Sequence, residues 1–93
     1  MPNQENYEET FIIQNEFGLH ARPAMLLVQA VSRLNCEVVI EKSGLQADAK
    51  SIMGVLTLAA EQGSEIKVKA IGPDARIAVQ AIGKLVNEKF GED

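Results

Sequence analysis

Residues 66–86 read IKVKAIGPDARIAVQAIGKLV, and the apolar residues of this stretch change their period half-way along it. In the first part, Ile66, Val68 and Ala70 alternate with lysines, which is the two-residue period of a strand with one buried face. The second part follows Gly72-Pro73-Asp74 and spaces its apolar residues three and four apart, as a helix does. A strand that leads directly into an amphipathic helix predicts a sheet with helices packed on one face.

The same two spacings of apolar residues occur in the rest of the 93-residue chain. The predicted strands are 7–14, 36–41, 45–49 and 66–70, and the predicted helices are 21–34, 51–60 and 75–89. The order βαββαβα, with a hairpin turn at Lys42-Ser43-Gly44, predicts an α+β fold. We expect an open-faced β-sandwich, in which three helices cover one face of a four-stranded antiparallel sheet. A polar leader at 1–6 precedes this single domain, which spans 7–90 and is followed by a tail at 91–93.

Composition and charge argue against several classes of function. The formal net charge is −4 and there is no basic stripe, so we expect neither nucleic-acid binding nor membrane-surface binding. The apolar run Ala24–Val28 is far too short to span a bilayer. The N-terminus is polar and acidic, unlike a signal peptide, and the single cysteine, Cys36, cannot form an internal disulfide. These features predict a cytoplasmic protein, and none of them requires more than a monomer.

The residues that carry chemistry concentrate in Gly18-Leu19-His20-Ala21-Arg22-Pro23. Pro23 belongs in the first turn of a helix, where its missing N–H breaks no intrahelical bond, and this places His20 at or beside the N-cap. The backbone amides of Ala21 and Arg22 are then unpaired donors at the positive helix end, which is a ready anion site. The same positive end disfavours imidazolium, so we expect the ring to keep a free nitrogen lone pair.

A neutral imidazole in this position can attack phosphorus and form a phosphohistidine. The phosphoryl oxygens can then accept hydrogen bonds from the free amides and from the Arg22 guanidinium, so no metal or other cofactor is expected. The residues alone leave open the simpler interpretation that His20 only caps the helix. A metal site or a Cys–His catalytic pair is disfavoured, because His20 is the only histidine and Cys36 has none beside it in the sequence.

Gly18–Ala24 closely resembles the active-site signature of HPr, the histidine-containing phosphocarrier family of the bacterial phosphoenolpyruvate-dependent sugar phosphotransferase system. Ala49–Leu56 resembles the second signature of that family, and the similarity extends from about Tyr7 to Phe90. The resemblance implies that His20 accepts a phosphoryl group through Nδ1 from phosphorylated enzyme I and passes it to enzyme IIA domains. It assigns to Arg22 the neutralisation of the phosphoryl charge. The implied activity is that of a carrier, not an enzyme, because the protein turns over only with its partners.

Ser51 has both a structural and a regulatory interpretation. It is a natural N-cap for the helix predicted at 51–60. By the resemblance, Ser51 also matches the serine that HPr kinase/phosphorylase modifies in many bacteria, and Lys50–Gly54 resembles the kinase-regulated branch. Phosphate there would add nearly two negative charges at a helix start, which the helix tolerates while an acidic partner site is repelled. A transcription regulator is a further partner that such a phosphoserine implies.

Apolar residues outside the buried stripes predict a docking surface beside His20. The predicted inward face of the helix at 51–60 comprises Ile52, Val55, Leu58 and Ala59. Met53 and Leu56 lie on the opposite side of that helix. A short, capped helix that is apolar on both sides favours contact with a partner. Residues off the stripe of the first helix complete the predicted docking patch, which comprises Met25, Leu26, Ile52, Met53 and Leu56.

Two other functions stay open at this point. A regulatory paralogue, either of the nitrogen-type phosphotransferase branch or acting through Ser51, would share the histidine motif. The intact His20 and Arg22 favour such a role as an addition to transfer. A small two-layer hydrolase such as an acylphosphatase would need an arginine in a glycine-rich phosphate cradle near the first strand, and the only arginine there, Arg22, follows the histidine.

Overall fold

The computed structural model describes residues 5–92 and confirms the predicted order of elements. Positions 1–4 of the predicted leader and position 93 of the predicted tail lie outside the described residues. The strands are β1 (Asn6–Ile12), β2 (Glu37–Lys42), β3 (Leu45–Asp48) and β4 (Glu65–Ile71). The helices are α1 (Ala21–Val31), α2 (Ile52–Thr57) and α3 (Ala75–Asn87), and a 3-10 turn follows at Lys89–Gly91.

The four strands form one antiparallel sheet in the order β1-β4-β2-β3. Ile66, Val68 and Ala70 of β4 are fully buried beneath the helices. Lys67 and Lys69, which alternate with them, form ion pairs with glutamates of the neighbouring strands on the other face of the sheet. The predicted open-faced β-sandwich is therefore confirmed, with one face of the sheet covered and the other exposed.

The core lies between the sheet and one stripe of each helix. The stripe of α1 comprises Pro23, Ala24, Leu27, Val28 and Val31. The stripe of α3 comprises Ala75, Ala78, Val79, Ile82, Gly83 and Val86. None of the helices between residues 5 and 92 is both long enough and apolar enough to cross a membrane.

The second helix is shorter than its sequence pattern predicts. α2 ends at Thr57 because the chain leaves the helical path there, and Ala59 takes a left-handed backbone conformation with φ of 50°. The predicted inward position of Ala59 is wrong, since that residue is exposed, while Leu58 and Ala60 are buried. Ile52 is also 41% exposed in the first turn of α2, so its predicted inward position is wrong as well.

The first and third helices also end early, and the end of the third has a structural consequence. α1 ends at Val31, and α3 ends at Asn87 because Lys89 and Phe90 have φ of 55° and 53°. The resulting 3-10 turn directs the ring of Phe90 into the core, where it is 2% exposed. Burying a side chain of this kind stabilises a fold by about 1.5–3 kcal/mol. The end of the described chain is therefore fixed against the rest of the domain.

Candidate functional site

His20 is the N-cap residue of α1, as predicted. Its backbone is extended, its carbonyl accepts the first helical hydrogen bond from the Ala24 amide at 2.9 Å, and its side chain makes no capping bond. Pro23 has no N–H to leave unpaired. Within residues 5–92, the amides of Ala21 and Arg22 have no hydrogen-bond partner. The N-terminal end of α1 is therefore open to an anion.

The side chains on this turn are accessible. The side chain of His20 is 42% exposed, and Arg22 is exposed. The guanidinium of Arg22 forms no hydrogen bond or ion pair with any residue of the described part of the chain. The two amides, the imidazole and the guanidinium thus belong to one exposed helical turn.

The loop before α1 is held in place by the chain segment that follows α2. The Leu19 amide donates to the Ala60 carbonyl at 2.9 Å, and the Leu19 side chain is buried. Gly18 has a φ of 66°, and a Cβ atom at this position would overlap the Ala60 carbonyl. Only glycine tolerates both the positive φ and the close contact with the Ala60 carbonyl without strain. The close approach of the two segments therefore fixes the backbone that leads into His20.

The ring of His20 contacts Glu92, a residue of the tail predicted at 91–93. The Nε2 atom of His20 lies 2.8 Å from Oε2 of Glu92. The other carboxylate oxygen, Oε1, accepts a hydrogen bond from Nδ2 of Asn15 at 2.9 Å. The bond from Asn15, and after it the bond to His20, keeps the pKa of the Glu92 carboxyl below its ordinary value, although partial burial acts in the opposite direction. No periodic pattern in the sequence indicates that the chain returns to His20.

A second residue that the sequence did not assign to the site is Phe17. Its ring packs edge-on against the His20 ring, with the centroids 6.0 Å apart, and 70% of the residue is exposed. Phe17, His20 and Leu56 line the same shallow cavity of about 280 Å³. This cavity connects the histidine turn with α2, so the two sequence signatures lie side by side in the fold.

Ser51 is the N-cap of α2, as predicted. Its Oγ atom accepts a hydrogen bond from the Gly54 amide at 3.0 Å, and its carbonyl accepts from the Val55 amide at 3.0 Å. The residue is half-buried at the first turn of a six-residue helix. The capping role of Ser51 is therefore confirmed by its geometry.

The five residues of the predicted docking patch differ in exposure. Met53 is 74% exposed, Met25 is 43% exposed and Ile52 is 41% exposed. Leu26 and Leu56 are half-buried and pack against the core. The accessible apolar surface of the docking patch is therefore provided mainly by two methionines and one isoleucine.

Comparisons with known proteins agree on one family. A family model described as the PTS HPr component phosphorylation site matches residues 7–88. The phosphocarrier protein HPr of Xylella fastidiosa strain 9a5c is 42% identical over 86 residues, which cover 92% of this chain and 97% of that protein. The crystal structure of HPr-C-His from Thermoanaerobacter tengcongensis has a TM-score of 0.90 at 42% identity, covering 94% of this chain and 98% of that one. The crystal structure of a phosphocarrier protein HPr from Bacillus anthracis has a TM-score of 0.83 at 38% identity, covering 87% and 96%.

Proposed function

The chain belongs to the HPr family, the phosphocarriers of the phosphotransferase system, and we propose that it carries the phosphoryl group on Nδ1 of His20. The observation that carries this proposal is the open N-terminus of α1, where an exposed imidazole stands beside the amides of Ala21 and Arg22, which have no partner among residues 5–92. Nε2 of the same ring is hydrogen-bonded to the carboxylate of Glu92. Nδ1 is therefore the ring nitrogen left to react.

The proposed reaction is a phosphoryl transfer between two protein partners. Phosphorylated enzyme I, charged by phosphoenolpyruvate, is the donor, and an enzyme IIA domain is the acceptor. The lone pair of Nδ1 forms a bond to phosphorus while the bond from phosphorus to the donor atom breaks and leaves its electron pair on the donor. In the second transfer, the bond to Nδ1 breaks and its electron pair returns to the ring.

The residues around His20 favour this transfer through position and charge. The three phosphoryl oxygens are acceptors, and the amides of Ala21 and Arg22 and the Arg22 guanidinium are donors without partners inside residues 5–92. Donors that are already in place need no reorganisation when the charge arrives, so they stabilise the transition state efficiently. Arg22 is the residue of this group whose charge we expect to matter most.

We propose that the docking patch and Phe17 receive both partners. Met25, Ile52 and Met53 expose apolar area that the core does not use, and Phe17 and Leu56 line the cavity beside His20. Apolar residues next to a reactive group favour an interface that excludes water from the transfer.

We propose that Ser51 is a regulatory site for HPr kinase/phosphorylase. It lies one residue before Ile52 and two before Met53, so a phosphate there would stand at the docking patch. The added charge of nearly −2 would repel an acidic partner while leaving the cap of α2 in place. Docking of a transcription regulator on phosphorylated Ser51 is the second candidate function, and it would add to the transfer at His20.

Incubation with enzyme I and radiolabelled phosphoenolpyruvate tests the proposed carrier function. We expect acid-labile, base-stable phosphate on the protein and none on His20→Ala, because phosphoramidates hydrolyse in acid. The Ser51→Ala variant is the matched control and should accept as much phosphate as the parent protein. Uptake by His20→Ala equal to that of the parent protein would contradict the proposal.

A further inference from the structure

The end of the described chain lies against the histidine turn because residues 90–92 are held by a buried side chain and by two backbone hydrogen bonds. Phe90 is buried in the core, the Gly91 amide donates to the Glu88 carbonyl at 2.9 Å, and the Glu92 amide donates to the Lys89 carbonyl at 2.8 Å. These contacts hold the backbone of Glu92 close to the domain. The position of its carboxylate against His20 is therefore built into the fold of the C-terminal turn.

Asn15 fixes the carboxylate from the other side. Its side chain is fully buried, and Nδ2 donates both to the Gly18 carbonyl at 2.8 Å and to Oε1 of Glu92 at 2.9 Å. Both partners of Nδ2 are acceptors, so the opposite amide orientation would place two acceptors against Oδ1. Oδ1 has no partner among the described residues, so both hydrogen bonds that the Asn15 side chain makes there are donated by Nδ2.

The contact between Glu92 and His20 determines where the imidazole proton lies. An ionised carboxylate is only an acceptor, so at 2.8 Å from Oε2 the Nε2 atom must carry a hydrogen. A neutral imidazole with its proton on Nε2 has its lone pair on Nδ1. The hydrogen bond from Asn15 favours the ionised form of the carboxyl and so supports this assignment.

We propose that Glu92 is a positioning residue, which holds the proton on Nε2 of His20 through a carboxylate oriented by Asn15 and thereby presents Nδ1 as the nucleophile. This inference rests on the proposed phosphoryl transfer at His20. When Nδ1 binds phosphorus, the ring becomes cationic while Nε2 keeps its hydrogen, and the carboxylate faces that hydrogen. When the phosphoryl group leaves, the electron pair returns to Nδ1, so neither transfer requires a proton to move.

Two variants separate the hydrogen bond from its charge. Glu92→Ala removes both. Glu92→Gln keeps one acceptor oxygen. Its amide nitrogen must then face either Nδ2 of Asn15, where the bond is lost, or Nε2 of His20, where the amide donates and favours the tautomer with its proton on Nδ1. Glu88→Gln is the matched control, because it removes a charge from an exposed position in the same C-terminal region without touching the histidine turn.

The direct readout is the tautomer of His20, measured by long-range nitrogen–proton correlation on 15N-labelled protein at a pH where the ring is neutral. We expect a single Nε2–H tautomer in the parent protein and in Glu88→Gln, and a mixture of both tautomers in Glu92→Ala and Glu92→Gln. The amide spectrum of the same samples shows whether each variant is folded. A parent-like tautomer in Glu92→Ala would overturn the inference.

The rate of phosphoryl transfer from enzyme I is the second readout. We expect Glu92→Ala to be slower by about tenfold, the scale of one hydrogen bond to a charged group, and Glu88→Gln to match the parent protein. A parent-like rate in Glu92→Ala, with no uptake by His20→Ala, would overturn the role of Glu92 while the carrier function stands. Uptake by His20→Ala would instead contradict the carrier function itself.

Discussion

The N-termini of α1 and α2 differ in whether a side chain caps the helix. At α2, Oγ of Ser51 accepts from the Gly54 amide and closes the helix end. At α1, the side chain of His20 makes no capping bond, and its ring contacts Glu92 instead. A missing cap costs a helix about 0.5–2 kcal/mol, so the N-terminus of α1 lacks a stabilising bond that the N-terminus of α2 has. The capped end stabilises the fold, and the uncapped end is where we propose that the phosphoryl group binds.

The largest effect on the rate of phosphoryl transfer should come from removing the positive charge beside the uncapped end of α1. Arg22→Ala removes the guanidinium that we propose binds the phosphoryl oxygens, and we expect transfer from enzyme I to slow by about 100-fold. The exposed side chain of Arg22 contributes nothing to the core, so the stability should not change. Arg33→Ala, which removes an exposed arginine beyond the C-terminal end of α1, is the matched control. Equal rates for the two variants would show that the guanidinium takes no part.

A charge at the capped end should have a smaller effect. Ser51→Asp places a negative charge at the docking patch, and we expect transfer from enzyme I to slow by about tenfold through repulsion. Ser51→Ala should keep the parent rate and lose about 1 kcal/mol of unfolding free energy, because only the cap is removed. Initial transfer rates and urea unfolding measure the two effects. A Ser51→Asp protein that accepts phosphate as fast as the parent would rule out repulsion as the regulatory mechanism.

The exposed face of α2 should show a weaker effect still. Met53→Glu places a carboxylate where 74% of the residue is exposed, and we expect the transfer rate to fall by about fivefold as an apolar contact is lost. The fold should be unaffected. Ile77→Glu on α3 is the control, since Ile77 is also more than half exposed but is not part of the docking patch. If both variants transfer at the parent rate, the docking patch does not contribute to binding.

The smallest effect concerns the pH dependence of stability. The folded protein lowers the pKa of Glu92 from its ordinary value of 4.5, mainly through the hydrogen bond from Asn15. The stability from this carboxylate is therefore fully present above the ordinary pKa and is lost as the pH falls through the lowered one. Between about pH 6 and about pH 3, the unfolding free energy of the parent protein should fall more steeply than that of Glu92→Gln. Parallel pH curves for the two proteins would contradict the contact.

Local sequence signals were sufficient for the parts of the site that depend on local structure. Pro23 predicts that His20 is the N-cap of α1, because proline is tolerated only in the first helical turn. Ser51 is a helix cap by residue type, and the alternation around Val68 predicts a strand with one buried face. Each of these features depends on a few neighbouring residues, and each is confirmed in the structure.

The parts that the sequence did not predict depend on backbone changes without a local signal. Lys89 and Phe90 adopt positive φ although neither is a glycine, and the burial of Phe90 is what makes this conformation favourable. The contact of Glu92 with His20 follows from that turn and joins residues 72 positions apart. Ala59 also has a positive φ, at the end of α2, which is why its predicted inward position is wrong.

The position of the phosphorus atom tests the central claim most directly. Protein labelled with 15N in its histidine ring, phosphorylated by enzyme I and studied by nitrogen and phosphorus NMR, should show one-bond coupling of phosphorus to Nδ1 of His20, with a hydrogen on Nε2. Coupling of phosphorus to Nε2, or phosphate on any residue other than His20, would contradict the account.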